Sequence, residues 1–192
     1  MEDKIIGTIN KTKEFYQQPS KSLFHNTISL IISQKISFSK SRTIRKKIYE
    51  EFTSSEMTYD NIKNLSKKQL LDFGLQEFQY DIIQRIINLG PNLVYDDIIK
   101  VKGIGEWTKK SLLLYAGNDD ILLVEDYWIR QRIKNLFDLK TVPDKITAMS
   151  LINNIIKNKI SKSLMTKFLW RIKPESVDKI KNDVELDKND FI

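Results

Sequence analysis

The sequence predicts an all-α protein, and three observations carry that expectation. Apolar residues recur at three- and four-residue intervals along nearly the whole chain. No segment alternates apolar and polar residues as a half-buried strand does, and glycine, proline or capping residues punctuate the periodic stretches. At 192 residues the chain can bury a core as one domain or as two closely packed lobes. Many short helices joined by tight turns are expected, an architecture that holds functional groups in a cleft between helix groups.

The elements follow in order. Leu23 to Ser33, LFHNTISLIIS, sets Leu23, Thr27, Leu30 and Ile31 on one stripe. Ser39 to Phe52 aligns Ile44, Ile48 and Phe52, with a cationic opposite face carrying Arg42, Arg45, Lys46 and Lys47. Ser66 and Gln69 form the pattern of a capping box, and Gly74 closes that helix. Gln76 to Asn88 carries Ile82, Ile83, Ile86 and Ile87 and stops at Gly90-Pro91. A short helix, YDDIIK, leads to VKGIGEWTKK, after which Thr108 to Tyr115 is helical. Asp126 to Phe137 forms the next helix, and Pro143-Asp144 opens a helical region reaching Trp170. The charged tail after Pro174 is expected to fray.

Two stretches carry the chemistry. In VKGIGEWTKK, Gly103 and Gly105 allow positive φ and close backbone approach to another surface. The helix that follows presents free N–H groups at its start, with Lys102, Lys109 and Lys110 adding positive charge, a setting that suits a phosphate. An ordinary helix corner with solvated lysines accounts equally for the GIG triplet taken alone. Some twenty residues on, ILLVEDYWIRQRI delivers Glu125 and Asp126 from an apolar run to the start of a helix rich in aromatic residues. Asp126 is either a plain N-cap or a partly desolvated carboxylate at a pocket mouth.

Composition excludes several alternatives. The chain has no cysteine, which removes disulfides, thiolate zinc sites, iron–sulfur clusters and a cysteine nucleophile. Its one histidine, His25, rules against a multi-histidine metal site or a serine–histidine triad and receives no role. The net charge of +7 fits a nucleic-acid partner. A start with acids beside lysines is unlike a secretory signal, and no run approaches the length of a membrane helix. A soluble, intracellular protein is expected, in the cytoplasm of a prokaryote or the nucleus of a eukaryote.

Taken together, GIGEWT and VEDYWIRQR resemble the helix-hairpin-helix DNA glycosylases (HhH-GPD), the superfamily of endonuclease III. They are most similar to its alkylpurine branch, the 3-methyladenine DNA glycosylase II type, with its GIG-x-WT and D-x-x-(I/L)-(K/R) patterns. Upstream, IISQKIS (Ile31 to Ser37) resembles the family's I-x-x-Q-x-(V/I)-S segment. DFGLQEFQYDII resembles its GL-(S)-x-x-K segment, with Gln76 and Gln79 in place of the usual Ser and Lys. LMTKFLW (Leu164 to Trp170) resembles the terminal helix closing the pocket. The likeness runs from about Leu23 to Trp170 and implies one glycosylase domain over 1–192, without the N-terminal β-domain of larger relatives. Its two lobes would be 24–117, and 1–23 with 118–192.

The resemblance implies a role for each site residue. Asp126 is the catalytic carboxylate, and Trp107, Tyr127, Trp170 and Gln34 surround the extruded base. Lys102, Gly103, Ile104, Gly105, Thr108, Lys109 and Lys35 meet DNA, although Lys35 is unusual where relatives keep a wedge residue. Trp107 stands where bifunctional members have a Schiff-base lysine, so a monofunctional enzyme without lyase activity is implied. Ser111, aromatic in some relatives, would leave a more open pocket. No cofactor is implied beyond a sodium or potassium ion on the carbonyls of Ile99, Val101 and Gly103. The implied partner is double-stranded DNA with damaged bases, bound by a monomer. The implied reaction is hydrolytic release of alkylated purines. Alternatives are the same fold acting on oxidised or deaminated bases, a non-catalytic helix-hairpin-helix DNA-binding module, or a helical interaction protein whose charge is only compositional.

Overall fold

Capping chemistry sets most of the helix boundaries in this computed structural model, which describes residues 2–16, 21–157, 159–182 and 184–191. Among the described residues there are α-helices and short 3-10 turns but no strand, and a single antiparallel bridge joins Ile172 to Phe191. The chain divides into two compact units, Ser20–Ala116 and Met1–Pro19 with Gly117–Ile192. The discontinuous unit begins with α1 (Glu2–Thr12), which buries Ile5, Ile6 and Ile9.

The continuous unit holds α2 (Leu23–Ser33), α3 (Phe38–Phe52), α4 (Tyr59–Lys63), α5 (Lys67–Phe73), α6 (Glu77–Ile87), α7 (Tyr95–Ile98) and α8 (Glu106–Tyr115). The Ser66–Gln69 capping box forms as the sequence predicts, and Gly74 ends α5 at φ 110°. Helix α2 is more enclosed than the single stripe read from sequence. It buries Phe24, Ile28 and Ile32 beside Thr27, Leu30 and Ile31, and packs against α3, α6 and α8. Such a helix forms the core of its unit. Part of the cationic face of α3 is engaged internally: Arg45 donates to Ser33 Oγ at 3.0 Å, and Lys47 donates to the Asp72 carbonyl at 3.3 Å.

His25 belongs to this core. It is 5% exposed, its Nδ1 accepts from Met57 N at 3.0 Å, and its ring stacks on Tyr49 at 6.1 Å. Burial, reinforced by Lys21, lowers its pKa to about 4, with Glu56 opposing. In the unfolded chain the ring titrates near its ordinary value of about 6.5, so unfolding takes up a proton below that pH. The stability from a neutral His25 is therefore complete above about pH 6.5 and is lost as pH falls towards 4. Urea unfolding should lose about 2 kcal/mol between pH 7 and pH 5. A His25→Gln variant should flatten that slope, and an unchanged slope contradicts the assignment.

The discontinuous unit continues with α9 (Tyr127–Leu136), α10 (Lys145–Ile156), α11 (Lys162–Arg171) and α12 (Val177–Lys181). The region from Pro143 to Trp170 is thus two helices, interrupted where Lys157 takes φ 36° and Ser161 caps α11. The described residues of the tail are folded where fraying was expected. It folds through 3-10 turns at Pro174–Ser176 and Lys188–Asp190, and Phe191 packs on Tyr16 and Phe168 at 5.5 and 6.0 Å. Asp190, 3% exposed, accepts from Ser176 Oγ at 2.6 Å and from Lys179 Nζ at 3.0 Å. Burial pushes its carboxyl pKa up, but these bonds more than offset this and hold it below the usual range. Charge density suggested a solvated tail; aromatic burial and one paired carboxylate decide otherwise.

Candidate functional site

The turn between α7 and α8 is held by short backbone bonds, Val101 N to Ile98 O and Ile104 N to Val101 O, both at 3.0 Å. Gly103 sits at φ 105°, and a Cβ there would lie 2.5 Å from the Ile82 side chain, so only glycine fits. Gly105 does not use the positive φ that a glycine allows. It is extended, at φ −90° and ψ 177°, and a Cβ on it would meet nothing within 4 Å. It is also the N-cap of α8, and no side chain closes that helix start. Glycine at 105 therefore answers no internal constraint and leaves the backbone open to an outside surface.

The remaining residues predicted for DNA contact behave differently from one another. Ile104 is buried and anchors the turn, while Lys102 is exposed and its carbonyl accepts from Arg85 Nη1 at 3.1 Å. Lys109 pairs with Glu106 at 3.1 Å. Thr108 is 2% exposed, and its hydroxyl accepts from Gln34 Nε2 at 3.1 Å, so its side chain is turned inward. Gln34 Nε2 also donates to Gly103 O at 3.2 Å, tying the α2–α3 loop to the hairpin. Lys35 is exposed, takes φ 56°, and its Nζ lies 5.4 Å from the Phe78 ring centroid. Of the carbonyls that the resemblance assigned to a monovalent ion, Val101 O and Gly103 O each accept one hydrogen bond, which leaves each a second lone pair.

Gln79 was noted in the sequence only as a departure from Lys. It is fully buried, and its Nε2 reaches Ile31 O at 3.2 Å, Ile32 O at 2.8 Å and Gln34 O at 3.1 Å. One amide thus caps the end of α2 and fixes the loop bearing Gln34. The detectable signal was a capping-box glutamine, Gln76–x–x–Gln79, at the start of α6.

Asp126 proves to be the N-cap of α9. Its Oδ1 accepts from Trp128 N at 2.7 Å and Ile129 N at 3.2 Å, and the residue is 8% exposed. The two sequence readings of this residue, cap and desolvated carboxylate, are therefore compatible: it is both capping and buried. The apolar run before it, Ile121 to Val124, is buried without being a strand, so its main-chain groups need other partners. Helix α11 supplies them. Ser163 Oγ accepts from Ile121 N at 3.0 Å, and Thr166 Oγ1 accepts from Leu123 N at 3.2 Å and donates to Ile121 O at 2.8 Å. Neither hydroxyl was singled out in the sequence; their S-x-x-T spacing on one helix face was the available signal.

The aromatic residues divide by exposure. Tyr127 and Trp128 are each 53% exposed and meet edge to face at 5.5 Å beside Asp126. Trp170 is half-buried, whereas its neighbours Phe168 and Leu169 are buried. Trp107 is half-buried, and Ser111 is fully buried with its hydroxyl on the Trp107 carbonyl at 2.7 Å. Ser111 thus bonds back to its own helix one turn earlier. An open groove of about 540 Å³ on the same unit as Asp126 is lined by Val124, Glu125, Ile146 and Met149 among others. Among the described residues no cluster of three or more His, Asp or Glu side chains could hold a metal, and no helix is long and apolar enough to cross a membrane.

No protein-family model matches the chain. It is 23% identical over 157 residues to YfjP of Bacillus subtilis (strain 168), provisionally named a DNA-3-methyladenine glycosylase, in a match covering 68% of this chain and 53% of that protein. The chain thus spans about half the length of the curated relative it matches. Among solved structures it is similar to the 3-methyladenine DNA glycosylase Mag1 of Schizosaccharomyces pombe in complex with abasic DNA. There the TM-score is 0.67 at 16% identity, covering 88% of this chain and 94% of that one. The 3-methyladenine DNA glycosylase of Archaeoglobus fulgidus gives a TM-score of 0.69 at 17% identity, covering 88% of this chain and 68% of the other. A DNA-3-methyladenine glycosidase of Bacillus halodurans gives 0.61 at 16% identity, covering 98% and 94%. The chain has the helical fold of the 3-methyladenine DNA glycosylases.

Proposed function

We propose that this protein is a monofunctional DNA glycosylase that extrudes and releases alkylated purines, such as N3-methyladenine or N7-methylguanine, from duplex DNA. The observation that carries the reading is Asp126, a buried carboxylate whose direction is fixed by two backbone N–H groups at the end of an apolar segment. Cleaving an N-glycosidic bond builds positive charge on the deoxyribose. A preoriented anion stabilises that charge without reorganising. The C1′–N bond breaks with its electron pair moving to the base, and a water oxygen takes its place at C1′ after losing its proton, with Asp126 as the base. A purine alkylated at N3 or N7 already carries positive charge and leaves as a neutral base, so one carboxylate suffices.

The aromatic side chains supply recognition in this reading. Tyr127, Trp170 and Trp107 offer faces to a cationic base, each worth roughly 0.5–2 kcal/mol. Gln34 steadies the hairpin beside the base, and the exposed Lys35 lies where the duplex is opened. Extrusion costs a few kcal/mol, and less for a damaged base. Gly103, Gly105 and the N–H groups that start α8 grip a phosphate, with Lys102 nearby, and this contact positions DNA without reading its sequence. The carbonyls of Ile99, Val101 and Gly103 are suited to a sodium or potassium ion, which would add positive charge at that phosphate. The protein acts as a monomer inside the cell.

Two outcomes test this. With about four phosphates engaged, affinity for duplex DNA should fall about 100-fold between 50 and 200 mM salt. A flat salt profile argues for an interaction protein. Because Trp107 stands where a lyase needs lysine, a duplex bearing one 7-methylguanine should remain full length after incubation and break only on heating in alkali. Spontaneous breakage with a borohydride-trapped adduct overturns the monofunctional assignment.

A further inference from the structure

Arg132 is, among the described residues, the one buried lysine or arginine, at 5% exposure on α9. Its contacts are specific: Nε donates to Ile172 O at 2.8 Å, and Nη1 donates to Trp128 O at 3.2 Å. Trp128 also donates its N–H to Asp126 Oδ1 at 2.7 Å, so the two charged side chains hold opposite ends of one peptide residue. Ile172 directly follows α11, which carries Trp170. Burial lowers the pKa of this guanidinium, and the carboxylates of Asp126 and Glu175 oppose that shift. Asp126 stands at the head of its own helix and Glu175 in the turn before α12.

A neutral donor could satisfy two carbonyls. Burying a full charge there costs several kcal/mol unless an opposite charge compensates it. We propose that Arg132 is a positioning residue for Asp126, its buried charge and its bond to Trp128 O fixing the carboxylate and the first turn of α9 in one orientation. The same guanidinium ties that turn to the end of α11, so Trp170 and Asp126 are set by one side chain. An anion held this way is preorganised for the charge that develops at C1′. The inference rests on the reading of Asp126 as the catalytic carboxylate.

The test combines excision with folding. Single-turnover release of 7-methylguanine from a duplex is measured at saturating protein for the wild type, R132M and R132K, together with DNA affinity. R132M should slow release 10-fold or more with affinity changed less than 3-fold, and R132K should recover most of the loss. Separately, urea unfolding constants for R132M, D126N and the double variant should fail to multiply, by fivefold or more. R132Q, which keeps a donor but no charge, replaces R132M if the latter does not fold. Release at the wild-type rate, or constants that multiply with no rescue by lysine, overturns the proposal and leaves Arg132 a structural pin. If D126N releases base as fast as the wild type, the reading of Asp126 fails instead, and the unfolding cycle still decides whether the two side chains are coupled.

Discussion

Asp126→Asn removes base release while the protein remains folded and bound to DNA. Asparagine caps helices about as well as aspartate, so the bonds from Trp128 N and Ile129 N have an acceptor in the variant. What disappears is the negative charge. Losing one preorganised electrostatic contact to a transition state typically costs about 10²–10³ in rate, and loss of the water-activating group adds to this. Asp144 provides the control. It also caps a helix, accepting from Thr147 N at 2.8 Å, but it is exposed at the start of α10. Asp144→Asn should release base at the wild-type rate, whereas equal losses in the two variants would show that capping, and not charge, was being measured.

Gly103→Ala and Gly105→Ala should separate folding from DNA binding. At 103 the new methyl meets Ile82 at 2.5 Å from a backbone at φ 105°, so both the contact and the dihedral resist it. A stability loss of about 2 kcal/mol or more is expected, since strain at a left-handed position and overpacking each cost about 1–3 kcal/mol. At 105 the methyl meets no protein atom and φ is −90°, so stability should fall by less than about 1 kcal/mol, the usual loss at an N-cap. DNA affinity should nevertheless drop about tenfold in Gly105→Ala, because the methyl stands between phosphate and helix start. Thermal unfolding and fluorescence-anisotropy titration check both. Intact affinity in Gly105→Ala would remove the phosphate grip from the account.

Much of the helical order could be read from apolar spacing, because residues such as Ile82, Ile83, Ile86 and Ile87 mark one buried face with little ambiguity. The hairpin was readable as well, since two closely spaced glycines and the next helix start form a local pattern. Gly105 shows the limit. Sequence identifies a glycine but not which demand it answers, and at 105 the backbone is extended, so positive φ is not that demand. The long-range tethers were hidden for a related reason. Gln79, Ser163, Thr166 and Arg132 are polar residues on helices, normally read as surface. Only the path of neighbouring chain segments turns them into partners for buried carbonyls and N–H groups. The tail misled because its charges outnumber Leu186 and Phe191, yet those two apolar residues and the paired Asp190 decide its packing.

Release of alkylated purines through Asp126 can be checked by incubating the protein with duplexes that each carry one lesion, N3-methyladenine, N7-methylguanine, an oxidised purine or a deaminated base, and quantifying free base by chromatography. The methylated purines should be released, with the DNA strand intact and little release of the others. Release confined to oxidised or deaminated bases, or DNA binding with no base released from any duplex, would contradict it.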